Sequence, residues 1–305
     1  MESTPELSSH EGARPEGGPA MALMSALRSH SPICVGLDPV LSRLPDSIRP
    51  ASDDPAGVAA AFPTFSSEIL QCLQGVVGCV KIQAACYERF GPAGYESLAR
   101  TCTEARDLGF IVILDAKRGD IGISAEHYAA SACSMGAHWI TINPYLGNDG
   151  ILPFLESGLG AFALVRTSNP GGDAIQSESI GGACTVAEHV ASCVHEIGSD
   201  FVDSSGYSAL GAVVGATKGS QVARMRELMP AQPFLVPGFG AQGGTAADVM
   251  ACFDASGLGA IITASRSVIY AYSGDQPDWS GPVRESAERM KQQLQDELSR
   301  QESCS

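Results

Sequence analysis

Positive charge is scarce in this chain. Lys and Arg number 19 against 34 Asp and Glu, which gives a formal net charge of −15 at pH 7. Nucleic acids and anionic membranes require a basic surface, so this composition argues against both as the main partner. An anionic ligand would need the few cations to be concentrated at one place.

Long apolar runs are missing as well. No segment approaches the roughly 18 to 20 consecutive apolar residues that a membrane-spanning helix requires. The N-terminus is acidic rather than basic before the short apolar segment 21–27, which argues against a secretory signal. The ten cysteines include no C-x-x-C pair, and most lie in apolar patterns as buried reduced thiols do. We therefore expect a reducing, cytoplasmic location.

Two common catalytic signatures are also absent. His127, His138, His189 and His195 show no H-x-x-x-H or paired-carboxylate spacing, so they do not predict a zinc site. Ser168 lacks the G-x-S-x-G elbow, so a triad hydrolase is not expected.

A repeating unit fills most of the chain. Residues 1–20 are rich in Ser, Glu, Gly and Pro, which predicts a disordered extension. The predicted folded domain is 21–300, followed by a predicted tail at 301–305.

Short β-branched runs alternate with segments of helical spacing along the folded domain. Strands are predicted at 33–38, 79–83, 110–117, 139–144, 161–168, 210–217, 233–239 and 260–266. Helices are predicted at 55–73, 95–108, 124–135, 185–197, 219–228 and 282–299. Eight alternations predict an α/β fold, a single-domain (β/α)8 TIM barrel, with an open doubly wound sheet as the alternative.

The third predicted strand ends in a cluster of charge. Asp115, Lys117 and Asp120 follow a buried apolar run within six residues. Asp115 and Lys117 would point the same way, because strand side chains alternate between faces. Two carboxylates about 4 Å apart repel by roughly 4 kcal/mol at an effective dielectric of about 20, so a lysine between them keeps both ionised. The cluster predicts either an active site or an ion-pair network that only closes the strand.

Other strand ends carry functional residue types. Asp38 ends the first strand, Lys81 lies on the second, and Ser168 follows the fifth. Barrel closure would direct them all to one rim, which favours an enzyme.

The last two strands predict a phosphate site. Glycines 238, 240, 243 and 244 offer free backbone N–H groups, Gln242 a side-chain donor, and Arg266 a planar cation. The same glycines also spell G-x-G-x-x-G, the pattern of dinucleotide-binding folds. That pattern is expected early in a βαβ unit with an acid ending the next strand, whereas here the next strand ends at Arg266. A dinucleotide site and plain tight turns remain alternatives.

Several motifs in order resemble the orotidine 5′-phosphate decarboxylase family, in its longer-chain branch. Asp-Ala-Lys-Arg-Gly-Asp-Ile-Gly at 115–122 is similar to the family signature, and Thr-Ser-Asn-Pro-Gly at 167–171 to a loop of that branch. Further similar segments are Val-Lys-Ile-Gln at 80–83, Val-Val-Gly-Ala-Thr at 213–217 and the glycine-rich segment 236–244. The resemblance spans about residues 31–266.

This resemblance implies a homodimeric barrel that decarboxylates orotidine 5′-monophosphate to UMP without metal or cofactor. It implies that Lys117 donates the proton to C6 and that Asp115 lies against the substrate carboxylate. Lys81 pairs with the aspartates and, with Asp38, reaches the ribose hydroxyls. Asp120 enters the partner subunit's site. The remaining substrate-binding positions implied are Ile121, Ser124, Ser168 at the base, Pro237, Ser265, and Gln242 and Arg266 at the phosphate.

Two other functions remain open. Metal-dependent sugar-phosphate decarboxylases and aldol-type synthases share the Asp-x-Lys-x-x-Asp pattern, but they place an acidic ligand where this chain has Lys81. A non-catalytic nucleotide-binding barrel would be expected to lack some of these charged residues. Here all four are present, namely Lys81 and the three charged residues of the Asp-x-Lys-x-x-Asp pattern.

Overall fold

The described chain forms a closed parallel barrel. The computed structural model describes residues 17–50, 54–216, 219–238, 249–273 and 276–304. Within these ranges eight parallel strands close in the order β1-β10-β9-β8-β5-β4-β3-β2, and a hairpin of β6 and β7 stands apart. The strands are β1 Ile33–Leu37, β2 Cys79–Gln83, β3 Ile111–Arg118, β4 Trp139–Ile142, β5 Gly160–Arg166, β6 Ser179–Ile180, β7 Cys184–Thr185, β8 Leu210–Val214, β9 Phe234–Val236 and β10 Ala260–Ala264. The predicted (β/α)8 barrel is confirmed, and the open sheet is wrong.

Helices lie between the strands and cover the barrel. They are α1 Pro19–Ser29, α2 Pro55–Leu73, α3 Ala84–Glu88, α4 Gly91–Asp107, α5 Gly122–Ser134, α6 Leu152–Glu156, α7 Asp173–Gln176, α8 Val186–Gly198, α9 Ser220–Leu228, α10 Arg266–Ile269 and α11 Ser280–Cys304. None of the helices in these ranges is long and apolar enough to cross a membrane.

Predicted boundaries differ from the observed ones mostly at polar ends. β2 and α2 have the predicted bounds. The eighth predicted strand was too long, because Arg266 begins α10 and the strand ends at Ala264. α1 begins at Pro19, inside the predicted extension, of which residues 1–16 lie outside the described ranges. α11 continues to Cys304, into the predicted tail.

Alternation along the strands separates two apolar cores. Residues such as Val35, Val80 and Val112 face the surrounding helices in one buried cluster. Their neighbours Cys34, Cys79, Ile111 and Ile113 belong to a second cluster inside the barrel. Strand side chains change face at each residue, so one apolar strand can fill both cores.

Helix α1 closes the end of the barrel at which the strands begin. Its Leu23, Met24 and Leu27 pack in the interior cluster with residues of the strands. Trp139 lies stacked on Phe162 in this interior, with ring centroids 4.4 Å apart, and its indole N–H donates to the Pro19 carbonyl over 3.3 Å. The amino-terminal end is therefore sealed, which leaves the carboxyl-terminal end for a ligand.

Candidate active site

A cavity lies where the interior face of the strands changes from apolar to polar. On this face Lys81 follows Cys79 by two residues, and Asp115 follows Ile113 by two. Thr141 follows Trp139 in the same way. A cavity of about 760 Å³ opens above them, within the usual range for small-molecule sites. Its lining includes eight predicted site residues: Asp38, Lys81, Asp115, Lys117, Ser168, Pro237, Ser265 and Arg266.

Four of these residues form one charge array. Lys81 Nζ lies 2.7 Å from Asp115 Oδ2 and 3.9 Å from Asp38 Oδ1. Lys117 Nζ lies 2.5 Å from Asp115 Oδ1. Lys81 and Asp115 are buried, whereas half of the Lys117 side chain is exposed to the cavity side of the rim. Asp115 is thus held between two ammonium groups, and one of these remains accessible to a ligand.

The array keeps its buried members charged. Burial alone would raise the pKa of Asp115, but Lys81 and Lys117 outweigh it and hold that pKa well below the usual range. Burial alone would lower the pKa of Lys81, but Asp115 and Asp38 outweigh it and hold that pKa above the usual range. Asp115 and Lys81 are therefore ionised at neutral pH. Asp38 Oδ1 is buried and accepts no hydrogen bond from the described residues, whereas 27% of the Asp38 side chain as a whole is exposed.

The part of the cavity wall that follows β9 and β10 carries one arginine and the start of the glycine-rich segment. Arg266 follows β10 at the first position of α10, and its exposed guanidinium forms no ion pair or hydrogen bond with the described residues. Pro237 and Gly238 follow β9 at the same wall. The predicted phosphate ligand Gln242 lies outside the described residues, as does the rest of segment 239–248. A guanidinium without a partner among the described residues can bind a dianion such as a phosphate at this wall.

The loop after β5 is fixed by a buried arginine. Arg166 donates to Gln176 Oε1 over 3.0 Å and forms an ion pair with Asp173 at 2.5 Å. Gln176 in turn accepts from the Thr167 backbone N–H and donates to its hydroxyl. Ser168 packs so closely on β8 that a side chain at Gly215 would meet its backbone at 2.8 Å. These contacts hold Ser168 at the cavity wall.

Three predicted residues do not line this cavity. Asp120 and Ser124 line a separate, smaller cavity beside α5, and Ile121 is exposed at the rim. The Asp120 carboxylate accepts from the backbone N–H of Ile121, and among the described residues it forms no ion pair with either lysine. These residues therefore face away from the site of their own chain.

Apolar side chains surround Asp120 on the outer rim. We call Ile121, Ile123, Tyr145 and Leu146 the rim patch; their exposed fractions are 51%, 68%, 89% and 46%. Ile121 precedes α5 and Ile123 lies in its first turn, while Tyr145 and Leu146 follow β4; the two segments are in contact, since a side chain at Gly150 would meet the Asp120 carbonyl at 3.2 Å. Exposed apolar groups on adjacent loops are typical of an interface with another protein surface.

The sequence reasoning missed several residues of the cavity. Gln83, Thr141 and Thr263 all line it from strand positions. Gln83 belongs to the segment 80–83 quoted for the family resemblance, and its position at a strand end could have identified it. Thr141 and Thr263 carry no such signal, because threonine is common in strands of any function. Arg166 was missed because its partners lie seven to 55 residues away.

The site does not have the composition of a metal centre. In the described part of the chain, no three His, Cys, Asp or Glu side chains are close enough together to hold a metal ion. The ammonium group of Lys81 also occupies the position between Asp38 and Asp115 where a cation would otherwise be attracted.

Known proteins resemble this chain over most of its length. The sequence model of the orotidine 5′-phosphate decarboxylase / HUMPS family matches residues 31–276. An orotidine 5′-phosphate decarboxylase of Rhodopirellula baltica is 42% identical over 88% of this chain and 95% of its own. One of Clostridium perfringens is 34% identical over 90% of this chain and 98% of its own. The structure of a Leishmania donovani OMP decarboxylase is similar at 29% identity, with a TM-score of 0.74, over 92% of this chain and 98% of that one.

Proposed function

The chain belongs to the orotidine 5′-phosphate decarboxylase / HUMPS family, and on this premise we propose that it converts orotidine 5′-monophosphate into UMP and carbon dioxide. It is a decarboxylase, a carbon–carbon lyase, as its named relatives are. The observation that carries the choice of substrate is the charge array of Asp38, Lys81, Asp115 and Lys117 beneath a cavity whose wall also contains Arg266, a cation with no ion-pair partner among the described residues.

The proposed chemistry depends on the half-exposed ammonium of Lys117. Loss of carbon dioxide leaves an electron pair at C6 of the pyrimidine, which has no adjacent group to delocalise it. A fixed cation at that place stabilises the developing charge, and the same group can then deliver a proton to C6. Asp115 holds this ammonium in place over 2.5 Å, and its ionised state is maintained by two cations.

Asp115 has a second proposed role. Its carboxylate would lie against the carboxylate of the substrate, and this repulsion disappears when carbon dioxide leaves. Thus the ionised state of Asp115 would favour the product over the bound substrate.

The rest of the substrate would extend across the cavity. Asp38, whose Oδ1 accepts no hydrogen bond from the described residues, and Lys81 would bind the ribose hydroxyls. Ser168 would contact the base from the fixed loop after β5, and Pro237 and Ser265, which line the cavity, would lie beside the phosphate. Arg266 and Gln242 would bind the phosphate itself.

We also propose that two chains pair through the rim patch. Four exposed apolar side chains on adjacent loops would then be buried, and a two-fold interface would bring the same patch of each chain together. Asp120, Ile121 and Ser124 face away from their own cavity, which supports their insertion into the partner subunit's site.

The pathway and the compartment follow from the substrate and the thiols. UMP formation from orotidine 5′-monophosphate is the last step of de novo pyrimidine synthesis. None of the described cysteines from Cys34 to Cys252 forms a disulfide, which supports a cytoplasmic location.

One assay tests the proposed function. Purified protein mixed with orotidine 5′-monophosphate should change the UV absorbance of the pyrimidine as its carboxylate is lost, and chromatography should identify UMP. Binding of the nucleotide without any spectral change would favour a non-catalytic nucleotide-binding barrel instead.

Removal of metal should leave this activity intact. We expect the same kcat/KM before and after dialysis against a chelator, because Lys81 stands where the metal-dependent relatives carry an acidic ligand. The chelated enzyme and a sample resupplied with magnesium are compared on the same substrate. A loss of activity that magnesium restores would assign the chain to the metal-dependent sugar-phosphate enzymes.

A further inference from the structure

The β3–β4 pair contains an irregularity at the charge array. Leu114 pairs with Ile140 and Arg118 pairs with Ile142, so three residues of β3 lie opposite a single residue of β4. The three are Asp115, Ala116 and Lys117, and the single residue is Thr141. Bulges of this kind redirect side chains and are common beside active sites.

The bulge places Lys117 in an unfavourable backbone conformation. Its φ angle is +46°, and among the described residues every other positive φ belongs to a glycine. A residue with a Cβ adopts this left-handed region only when neighbouring groups hold it there. The contacts of the Lys117 backbone therefore determine where its ammonium group lies.

Thr141 makes the contact that holds Lys117. The backbone N–H of Lys117 donates to Thr141 Oγ1 over 2.9 Å. The hydroxyl of Thr141 donates to Asp115 Oδ1 over 2.8 Å, and the residue is only 1% exposed. Both directions are fixed, because an amide N–H can only donate and a carboxylate can only accept.

We infer that Thr141 is a positioning residue of the decarboxylation: its hydroxyl links the Lys117 backbone to the Asp115 carboxylate and so fixes the proton donor relative to its counterion. This inference rests on the proposed function. The hydroxyl leaves Asp115 with one oxygen bonded to Thr141 and Lys117 and the other bonded to Lys81. The orientation of the carboxylate is then fully determined.

The loss of the hydroxyl should impair chemistry more than binding. In Thr141→Val the side chain keeps its size, but the N–H of Lys117 and Asp115 Oδ1 each lose a partner. We expect kcat for orotidine 5′-monophosphate to fall on the order of 10- to 100-fold, as misplacement of a reacting group by about 1 Å can do. The affinity for UMP, measured by calorimetry, should stay nearly unchanged, because the ribose and phosphate contacts are elsewhere in the cavity.

Three further variants separate positioning from packing. Thr141→Ser and Thr141→Ala both lack the methyl group and differ only in the hydroxyl, so kcat should be near that of wild type in the first and low in the second. Thr101→Val is the matched control, since Thr101 is equally buried in α4 and its hydroxyl donates to the Ser97 carbonyl, remote from the cavity. It should keep the wild-type kcat.

The outcomes also distinguish this inference from the proposed function. Wild-type protein that does not convert orotidine 5′-monophosphate would refute the proposed function. An active wild type with an unchanged kcat in Thr141→Val, or with equal losses in Thr141→Ser and Thr141→Ala, would refute the positioning role. If Thr141→Val does not fold, the Ser and Ala pair decides the matter.

Discussion

Mixing two inactive variants should restore about a quarter of the wild-type activity, if each site draws Lys117 from one chain and Asp120 from the other. Lys117→Ala alone should lose on the order of 10⁴-fold in kcat, because it removes both the cation and the proton donor. Asp120→Ala should also be nearly inactive. In a mixed dimer, one site then carries both substitutions and the other carries neither.

The measurement is a refolding experiment with a built-in control. The two variants are unfolded together, refolded and assayed, with random pairing expected to give about half mixed dimers. The control pair is Lys117→Ala with Asp115→Asn, two residues that the structure joins within one chain. No site of that mixed dimer is intact, so its activity should stay low. Equal recovery in both mixtures, or in neither, would contradict a shared site.

Arg266→Ala should lower kcat/KM for orotidine 5′-monophosphate on the order of 10²- to 10⁴-fold. This factor corresponds to a loss of several kcal/mol of transition-state stabilisation. The guanidinium belongs to the cavity wall that follows β10, and it has no hydrogen-bond or ion-pair partner among the described residues. Binding energy from such a remote group can be used to hold a loop closed over the reacting atoms.

The substrate without its phosphate makes this prediction specific. On orotidine, Arg266→Ala and wild type should show nearly the same kcat/KM, because the missing group is the one that Arg266 binds. Arg289→Ala is the control for loss of a surface arginine, since Arg289 is exposed on the last helix and its one ion pair among the described residues is with Glu285. A proportional loss on both substrates would show that Arg266 acts on the fold and not on the phosphate.

The sequence predicted those parts of the fold that depend on local pattern. β2 and α2 have the predicted bounds because an apolar run begins and ends sharply at each. The convergence of Asp38, Lys81, Asp115 and Lys117 followed from strand order alone, since parallel strands in a barrel end at one rim. Helix α1 was missed because its apolar face acquires a partner only when the barrel interior exists.

Contacts between distant residues could not be predicted in this way. The alternation of strand side chains correctly predicted that Asp115 and Lys117 are neighbours. The backbone that brings them together is not a regular strand, because it contains a bulge and a positive φ at Lys117. Nothing in residues 110–122 indicates this, because the residue that stabilises the bulge is Thr141 on the next strand. The same holds for Arg166, whose side-chain partners Asp173, Gln176 and Gln221 lie in two later helices, α7 and α9.

The left-handed backbone of Lys117 has a consequence for how this protein can be stabilised. A residue with a Cβ loses roughly 1–2 kcal/mol in that region, whereas glycine occupies it without penalty. Glycine at this position would relieve the backbone strain, but it would also remove the cation that pairs with Asp115 and leave that buried carboxylate with one counterion fewer. Backbone strain and charge pairing therefore oppose each other at residue 117, so laboratory evolution toward a more heat-resistant enzyme must find its gains elsewhere in the barrel.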